Sequence, residues 1–261
     1  MDGFKGKVAL ITGGASGMGK VLARRLSEEE AQVAIFDVNE DGLTDTVRDI
    51  PNVACFKCDV ASNEMVKESV SKVEETLGPI DILVTAAALM PGHKVIDENS
   101  ETMGRLFDIN YFGTYHMIEA ILPGMRARNS GRIIAFGSVA GYAPVPNMAA
   151  YCATKAAVNS LIEILQNELR HEGSSVSAQL ICPPAVDTPL VDQTLATDSP
   201  GSIKHAKGSG RLSNPEKIVD AIIKGIKKNQ PIIFPAEAKV LKLWHDLLPA
   251  LWWKTVLNFE K

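Results

Sequence analysis

The sequence predicts an α/β fold, a single domain of 261 residues on a doubly wound, seven-stranded parallel sheet with helices on both faces. Three observations predict it. Short apolar runs recur at 8–11, 33–36, 53–56, 82–84, 133–136, 176–181 and 232–234, and most are continuous, as parallel strands covered on both faces require. The amphipathic segments between them are long enough for crossover helices, which gives a repeating βαβ rhythm. No internal repeat or linker divides the chain, and its 46% apolar and 22% charged residues suit one sizeable core.

The first run leads into Thr12-Gly13-Gly14-Ala15-Ser16-Gly17-Met18-Gly19, and Lys20 to Leu26 then follow helical spacing. Glycines between a first strand and a first helix permit a tight turn and let backbone N–H groups approach a pyrophosphate at the positive end of the helix. The second run ends at Asp37-Val38, about twenty residues after the glycines. A carboxylate there can accept hydrogen bonds from ribose hydroxyls and repel a 2′-phosphate, and no Arg or Lys directly follows to hold one. An ordinary strand-end Asp capping a turn is the plainer alternative. The expected cofactor is NAD.

The third run carries Cys55 and Cys58 and ends at Asp59-Val60. Residues three apart on a strand face opposite sides. One C-x-x-C cannot complete a zinc site, so the thiols read as structural and no metal is expected. The fourth run ends at Thr85-Ala86-Ala87-Ala88. The segment 103–125 is helical and unusually apolar, yet Asn110 interrupts it, where a polar amide is costly unless satisfied.

Ser138 follows the fifth run, at the carboxyl edge of the sheet where ligands of open α/β sheets bind. A helix cap is its plainer reading. The helix over 150–169 carries Tyr151 and Lys155, which share a face at i and i+4. A nearby ammonium favours tyrosinate, so Lys155 is expected to lower the Tyr151 pKa and make the phenol a general acid/base. Both apolar helices carry more apolar surface than one sheet-facing stripe needs. Deep burial would explain this. Contact with a second subunit is the favoured reading.

The sixth run leads to Pro183-Pro184 and then Val186-Asp187-Thr188-Pro189. The segment 187–213 is expected to be a mobile substrate loop, and its Lys204, His205, Lys207 and Arg211 read as solvated charges rather than a site for a phosphate-bearing carrier.

The C-terminal segment 236–259 places Val240, Leu243, Trp244, Leu247 and Leu251 at helical spacing, with Pro249 expected to kink or interrupt the helix and Trp252 and Trp253 adding apolar area. Three roles compete: covering a substrate pocket, which is favoured, pure packing, or docking on a membrane surface.

Thr12-Gly13 through Gly19 resembles the cofactor fingerprint of the classical short-chain dehydrogenases/reductases, whose glycine spacing differs from the G-x-G-x-x-G of other Rossmann folds. Asn110, Ser138, Tyr151 and Lys155 resemble that family's catalytic tetrad, in order, with the family's Ser-to-Tyr spacing. The resemblance runs from Lys7 to about Phe234. It implies a Rossmann fold and hydride transfer between NAD(H) and a secondary alcohol or ketone. Tyr151 would exchange the proton, Ser138 hold the substrate oxygen, Lys155 tune Tyr151 and bind the nicotinamide ribose, and Asn110 link Lys155 to solvent through water. Gly13, Ser16, Gly17, Met18, Gly19, Asp37, Val38, Asp59, Val60, Ala86, Ala87, Ala88, Pro183, Val186 and Thr188 would line the cofactor together with Tyr151 and Lys155. It also implies a homodimer or homotetramer. Two segments depart from the family: Thr85-Ala86-Ala87-Ala88 replaces Asn-Asn-Ala-Gly, and Pro183-Pro184 replaces Pro-Gly.

The expected substrate walls are Leu89, Met90, Val139, Tyr142, Val145, Met148, Pro184, Leu190 and Val191, beside Ser138 and Tyr151. They are apolar with no fixed carboxylate or guanidinium, which suits a hydrophobic alcohol or ketone: a steroid, terpenoid, aromatic alcohol or lipid-like hydroxy compound. A catalytically silent NAD-binding sensor and a membrane-surface lipid or steroid dehydrogenase are the alternatives. The net charge of −4 gives no electrostatic reason for a nucleic-acid partner. The apolar start is too short for a signal segment, and the C-terminal residues match no retention or peroxisomal signal, so a cytoplasmic location is expected.

Overall fold

The computed structural model describes residues 3–261. All seven apolar runs are strands: β1 (Val8–Thr12), β2 (Gln32–Asp37), β3 (Val53–Lys57), β4 (Ile82–Thr85), β5 (Gly131–Phe136), β6 (Val176–Ile181) and β7 (Ile232–Ile233). They form one sheet in the order β3-β2-β1-β4-β5-β6-β7, and every pairing is parallel. Alternate residues of a strand enter different cores. Ala9, Ile11, Val33 and Ile35 point to one, Leu10, Ala34 and Phe36 to the other.

The helices α1 (Gly17–Glu28) and α2 (Glu40–Asp49) pack on the first face. There they join α9 (Pro215–Lys227), whose Ile218, Val219, Ile222 and Ile226 form its apolar stripe. The other face carries α3 (Asn63–Leu77), α5 (Gly113–Ala127) and α6 (Ala149–His171). Caps fix where several of them start. The side chains of Asn39, Ser62 and Asn214 accept backbone N–H bonds at the heads of α2, α3 and α9.

Between β4 and α5 lie α4 (Ser100–Leu106) and a π-helical turn, Phe107–Phe112, that holds Asn110 fully buried. Such turns commonly accompany functional sites. The strand order reverses between β1 and β4, so their carboxyl ends open a crevice at the switch point.

The segment 187–213 contains α7 (Pro189–Leu195) and α8 (Gly201–Gly208). The C-terminal segment is a hairpin of α10 (Ala238–Leu247) and α11 (Pro249–Asn258). Pro249 does interrupt the helical run, and it sits in the first turn of α11, where its missing N–H is not needed. Cys55 is exposed, Cys58 is buried, and all four cysteines are free.

Candidate active site

The glycine loop is shaped by close approaches. Gly13 has φ +68°, and a Cβ there would come 2.8 Å from the Ala87 nitrogen. At Gly19 a Cβ would stand 2.1 Å from the Gly13 carbonyl oxygen, so any side chain would force the loop apart. The Asp37 carboxylate fastens this loop. One oxygen accepts from Ala15 N–H at 3.1 Å and the other from Asn39 N–H at 3.0 Å. The turn-capping reading of Asp37 therefore describes real bonds, yet the residue also lines the groove, and a carboxylate has lone pairs beyond those two bonds.

The hydroxyl of Thr12 fastens the Thr85–Ala88 segment to the glycine loop, accepting from Ala86 N–H at 3.0 Å and Ala87 N–H at 3.2 Å. The result is a groove of about 420 Å³. Gly13, Ser16, Gly17, Met18, Gly19, Asp37, Val38, Asp59, Val60, Ala86, Ala87, Ala88 and Thr188 all line it. Leu89, expected in the substrate wall, lies in this groove instead.

Beside it lies a second cavity of about 340 Å³ whose wall includes Ser138, Tyr151, Lys155, Pro183 and Val186. Ala88 and Thr188 border both spaces. Ser138 is extended and caps a short 3₁₀ turn, Val139–Gly141, its Oγ accepting from Ala140 N–H at 3.1 Å. The same hydroxyl is within hydrogen-bond reach of the Tyr151 phenol. Lys155 Nζ donates to the Phe136 carbonyl at 2.8 Å and sits 5.8 Å from the centre of the Tyr151 ring.

The expected lowering of the Tyr151 pKa by Lys155 is corrected here. Burial dominates and pushes the phenol above its ordinary value, against the smaller pull of the Ser138 hydrogen bond. Burial likewise lowers Lys155 to about 8, because a dry environment disfavours its charge. Asn110 is spent on structure: it accepts from Leu89 N–H at 2.8 Å and donates to the Leu89 carbonyl and to Thr154 Oγ1, each at 3.0 Å. Its side chain thus ties the loop after β4 to α6.

Met90, Val139, Val145, Met148, Pro184, Leu190 and Val191 line the second cavity as expected. Tyr142 does not. Its hydroxyl donates to Glu163 on α6, its ring packs on Phe234 at 6.0 Å, and Lys242 Nζ lies 4.9 Å over it, so it anchors the C-terminal hairpin to the sheet. The wall is also not free of charge, because Arg211 and Glu237 line it. Both come from segments outside the strand pattern. Lys207, by contrast, pairs with Asp187 at 2.7 Å and Asp192 at 3.2 Å, and the His205 ring packs 5.2 Å from that of Phe259.

Two groups of residues were not among the expected site residues, although the C-terminal segment as a whole was the favoured pocket cover. Leu241, Trp244, Trp252, Thr255, Val256 and Phe259 complete the cavity from the hairpin, and the Trp252 indole donates to the Pro144 carbonyl at 2.9 Å. Their helical spacing was visible, but not which face turned inward. The other is Asn159, one turn beyond Lys155 and buried. Its amide donates to the Ser138 carbonyl at 3.2 Å and accepts from Ser138 N–H at 3.4 Å. Gly137 and Gly141 make room for it, since a Cβ on either would come within 1.9 or 2.5 Å of that amide. Asn159 thereby sets the height of the Ser138 loop against the helix that carries Tyr151. A polar residue at helical spacing gives no sign of this by itself.

The chain matches the family described as short chain dehydrogenase over residues 7–199. It is 30% identical over 249 residues to a Mycobacterium tuberculosis protein named as an oxidoreductase, SadH, covering 92% of this chain and 90% of that one. It is 34% identical over 195 residues to an uncharacterized oxidoreductase of Staphylococcus epidermidis, covering 74% of this chain and 84% of the relative. Among solved structures, a short chain dehydrogenase/reductase from Burkholderia phymatum in complex with NAD superposes with a TM-score of 0.86 at 26% identity, covering 96% of this chain and 97% of that one.

Proposed function

Since the chain belongs to the short-chain dehydrogenases and is an oxidoreductase of that family, we propose that it transfers hydride between NAD(H) and a hydrophobic secondary alcohol or ketone. One observation carries the reading. Ser138, Tyr151 and Lys155 meet at the wall of a largely apolar cavity that borders the glycine-loop groove. The residues present fit a dinucleotide: glycines leave no side chain over the loop, Asp37 faces the groove, and Thr188 stands where groove and cavity join. The Burkholderia relative's complex with NAD agrees with the choice of cofactor.

The bound cofactor supplies the hydride acceptor or donor and, when oxidised, a positive ring that favours the phenolate. The chain's own residues do the rest. Ser138 holds the substrate oxygen, and Tyr151 takes or gives its proton. A phenol raised by burial stays protonated at neutral pH, which is the form that donates to the developing alkoxide in ketone reduction. Lys155, held by the Phe136 carbonyl, keeps a cation close to Tyr151 and would hold the nicotinamide ribose when the cofactor is bound. Asn110 keeps the loop after β4 registered on α6. The hairpin covers the cavity and, with Arg211 and Glu237, sets which substrates fit.

A screen of purified protein against apolar ketones and alcohols, read by NADH fluorescence, tests this. Turnover of at least one compound is expected, and binding of NADH without turnover of any would favour a silent sensor. Exposed Phe112, Tyr115 and Ile164 on the helices around 103–125 and 150–169 support a symmetric homodimer or homotetramer, and light scattering at micromolar concentration should find more than a monomer.

A further inference from the structure

The hairpin of α10 and α11 has two apolar faces. The inner one, with Trp244, Trp252 and Val256, closes the cavity. The outer one is Val240, Leu243, Leu247, Leu248, Leu251 and Leu257, together with Trp253. Val240 is 65% and Leu247 is 74% exposed, and the others are close to half exposed. Residues 240, 243 and 247 form a single stripe along α10. Scattered surface leucines need no explanation, but seven large exposed apolar side chains on two short helices do.

The charges around this face differ in kind from those elsewhere on the hairpin. Its acids are occupied: Asp246 pairs with Lys242, Glu260 accepts the Gly201 N–H at 2.7 Å, and Glu237 lines the cavity and accepts from Ser213. Lys239 and Lys254 are exposed and have no acidic partner among the described residues. A two-fold contact through this face would bring four such lysines to one buried patch with no acid to pair them, which is costly. An anionic bilayer surface matches both features. It takes the leucines and Trp253 at the acyl boundary while the lysines reach lipid phosphates. No helix among the described residues is long and apolar enough to cross a membrane, so the contact would be peripheral.

We infer that the outer face of the α10–α11 hairpin docks on anionic membrane surfaces, so that the cover of the cavity is also the membrane contact. This deepens the proposed reading, because an apolar substrate dissolved in lipid then meets the cavity at its own cover. The docking itself stands apart from that reading and is measured without turnover.

The test is co-sedimentation of the full chain with vesicles of phosphatidylcholine and phosphatidylglycerol, and with vesicles of phosphatidylcholine alone. Binding to the anionic vesicles is expected, weakened by salt. The double variant Leu247→Glu/Leu251→Glu should lose it, by at least about tenfold in affinity. Lys239→Glu/Lys254→Glu should lose about fivefold or more per lysine. None of the four residues lines the cavity, so both variants should keep NADH affinity, turnover of a water-soluble ketone and wild-type mass by light scattering. Absence of wild-type binding to anionic vesicles would overturn the inference, as would undiminished binding by the leucine variant. A leucine variant of smaller mass than wild type would also overturn it, by showing that the face holds a second copy. Vesicle binding without any ketone turnover would retain the docking and reject the proposed reaction.

Discussion

The carboxyl edge of the sheet and the C-terminal hairpin build the same cavity by opposite means. At the sheet edge, the chemical groups are held by hydrogen bonds that have a backbone group on one side. Ser138 is fixed through its N–H, its carbonyl and its hydroxyl, Lys155 through the Phe136 carbonyl, and Asn110 through both polar groups of Leu89. The hairpin is joined to the body largely by side chains: the Trp252 indole on Pro144, Lys242 over Tyr142, and Phe259 beside His205. Reaction geometry tolerates little error, whereas substrate fit can drift as side chains change. In the proposed reading, chemistry is placed on the rigid element and selectivity on the adaptable one.

Substitutions on the two sides should therefore fail differently. The largest effect is expected from Tyr151→Phe, which removes only the hydroxyl: turnover should fall roughly 10²–10⁴-fold while NADH still binds. Retained turnover would mean that another group moves the proton. Asn159→Ala should leave NADH affinity near wild type and lower kcat about 10–100-fold, because the Ser138 loop loses its two amide bonds. Asn159→Gln should not restore it, since Gly137 and Gly141 leave no space for a longer side chain. A change in KM alone would assign Asn159 to packing instead.

On the hairpin, Trp252→Ala should act the other way, raising KM for bulky apolar substrates about tenfold with kcat for a small ketone little changed. The protein should also lose about 3–5 kcal/mol of stability, read as a lower denaturant midpoint. Equal losses of kcat on small and bulky substrates would erase the distinction between the two regions. The smallest effect is expected at Asp37. Asp37→Ala should narrow the preference for NADH over NADPH by about tenfold, as fluorescence titration with both cofactors would show.

The same contrast explains what could be read from the chain alone. Seven strands were visible as continuous apolar runs because each is covered on both faces, and their parallel direction follows from the crossover lengths, whereas their order came from the structure. Ser138 could be placed because it follows a parallel strand at its carboxyl end, and Tyr151 and Lys155 because residues four apart share one face of α6. Tyr142 was misplaced because its direction depends on Glu163 and Phe234, distant in sequence. The hairpin was ambiguous for a related reason. With both of its faces apolar, periodicity cannot say which one meets the protein. Asn159 was hidden because nothing in a lone amide on a helix tells whether it faces water or a neighbouring loop.

Asp37 is tied to both Ala15 and Asn39, so the residue proposed to read the ribose is also the clasp of the loop proposed to receive the pyrophosphate. Discrimination and assembly share one carboxylate. An engineer who replaces it to admit NADPH also unfastens the turn, and should find both cofactors bound more weakly until another acceptor for the Ala15 N–H is supplied. For a lineage drifting toward the other cofactor, the second change has to come first: a new clasp for the loop, and only then a new reader for the ribose.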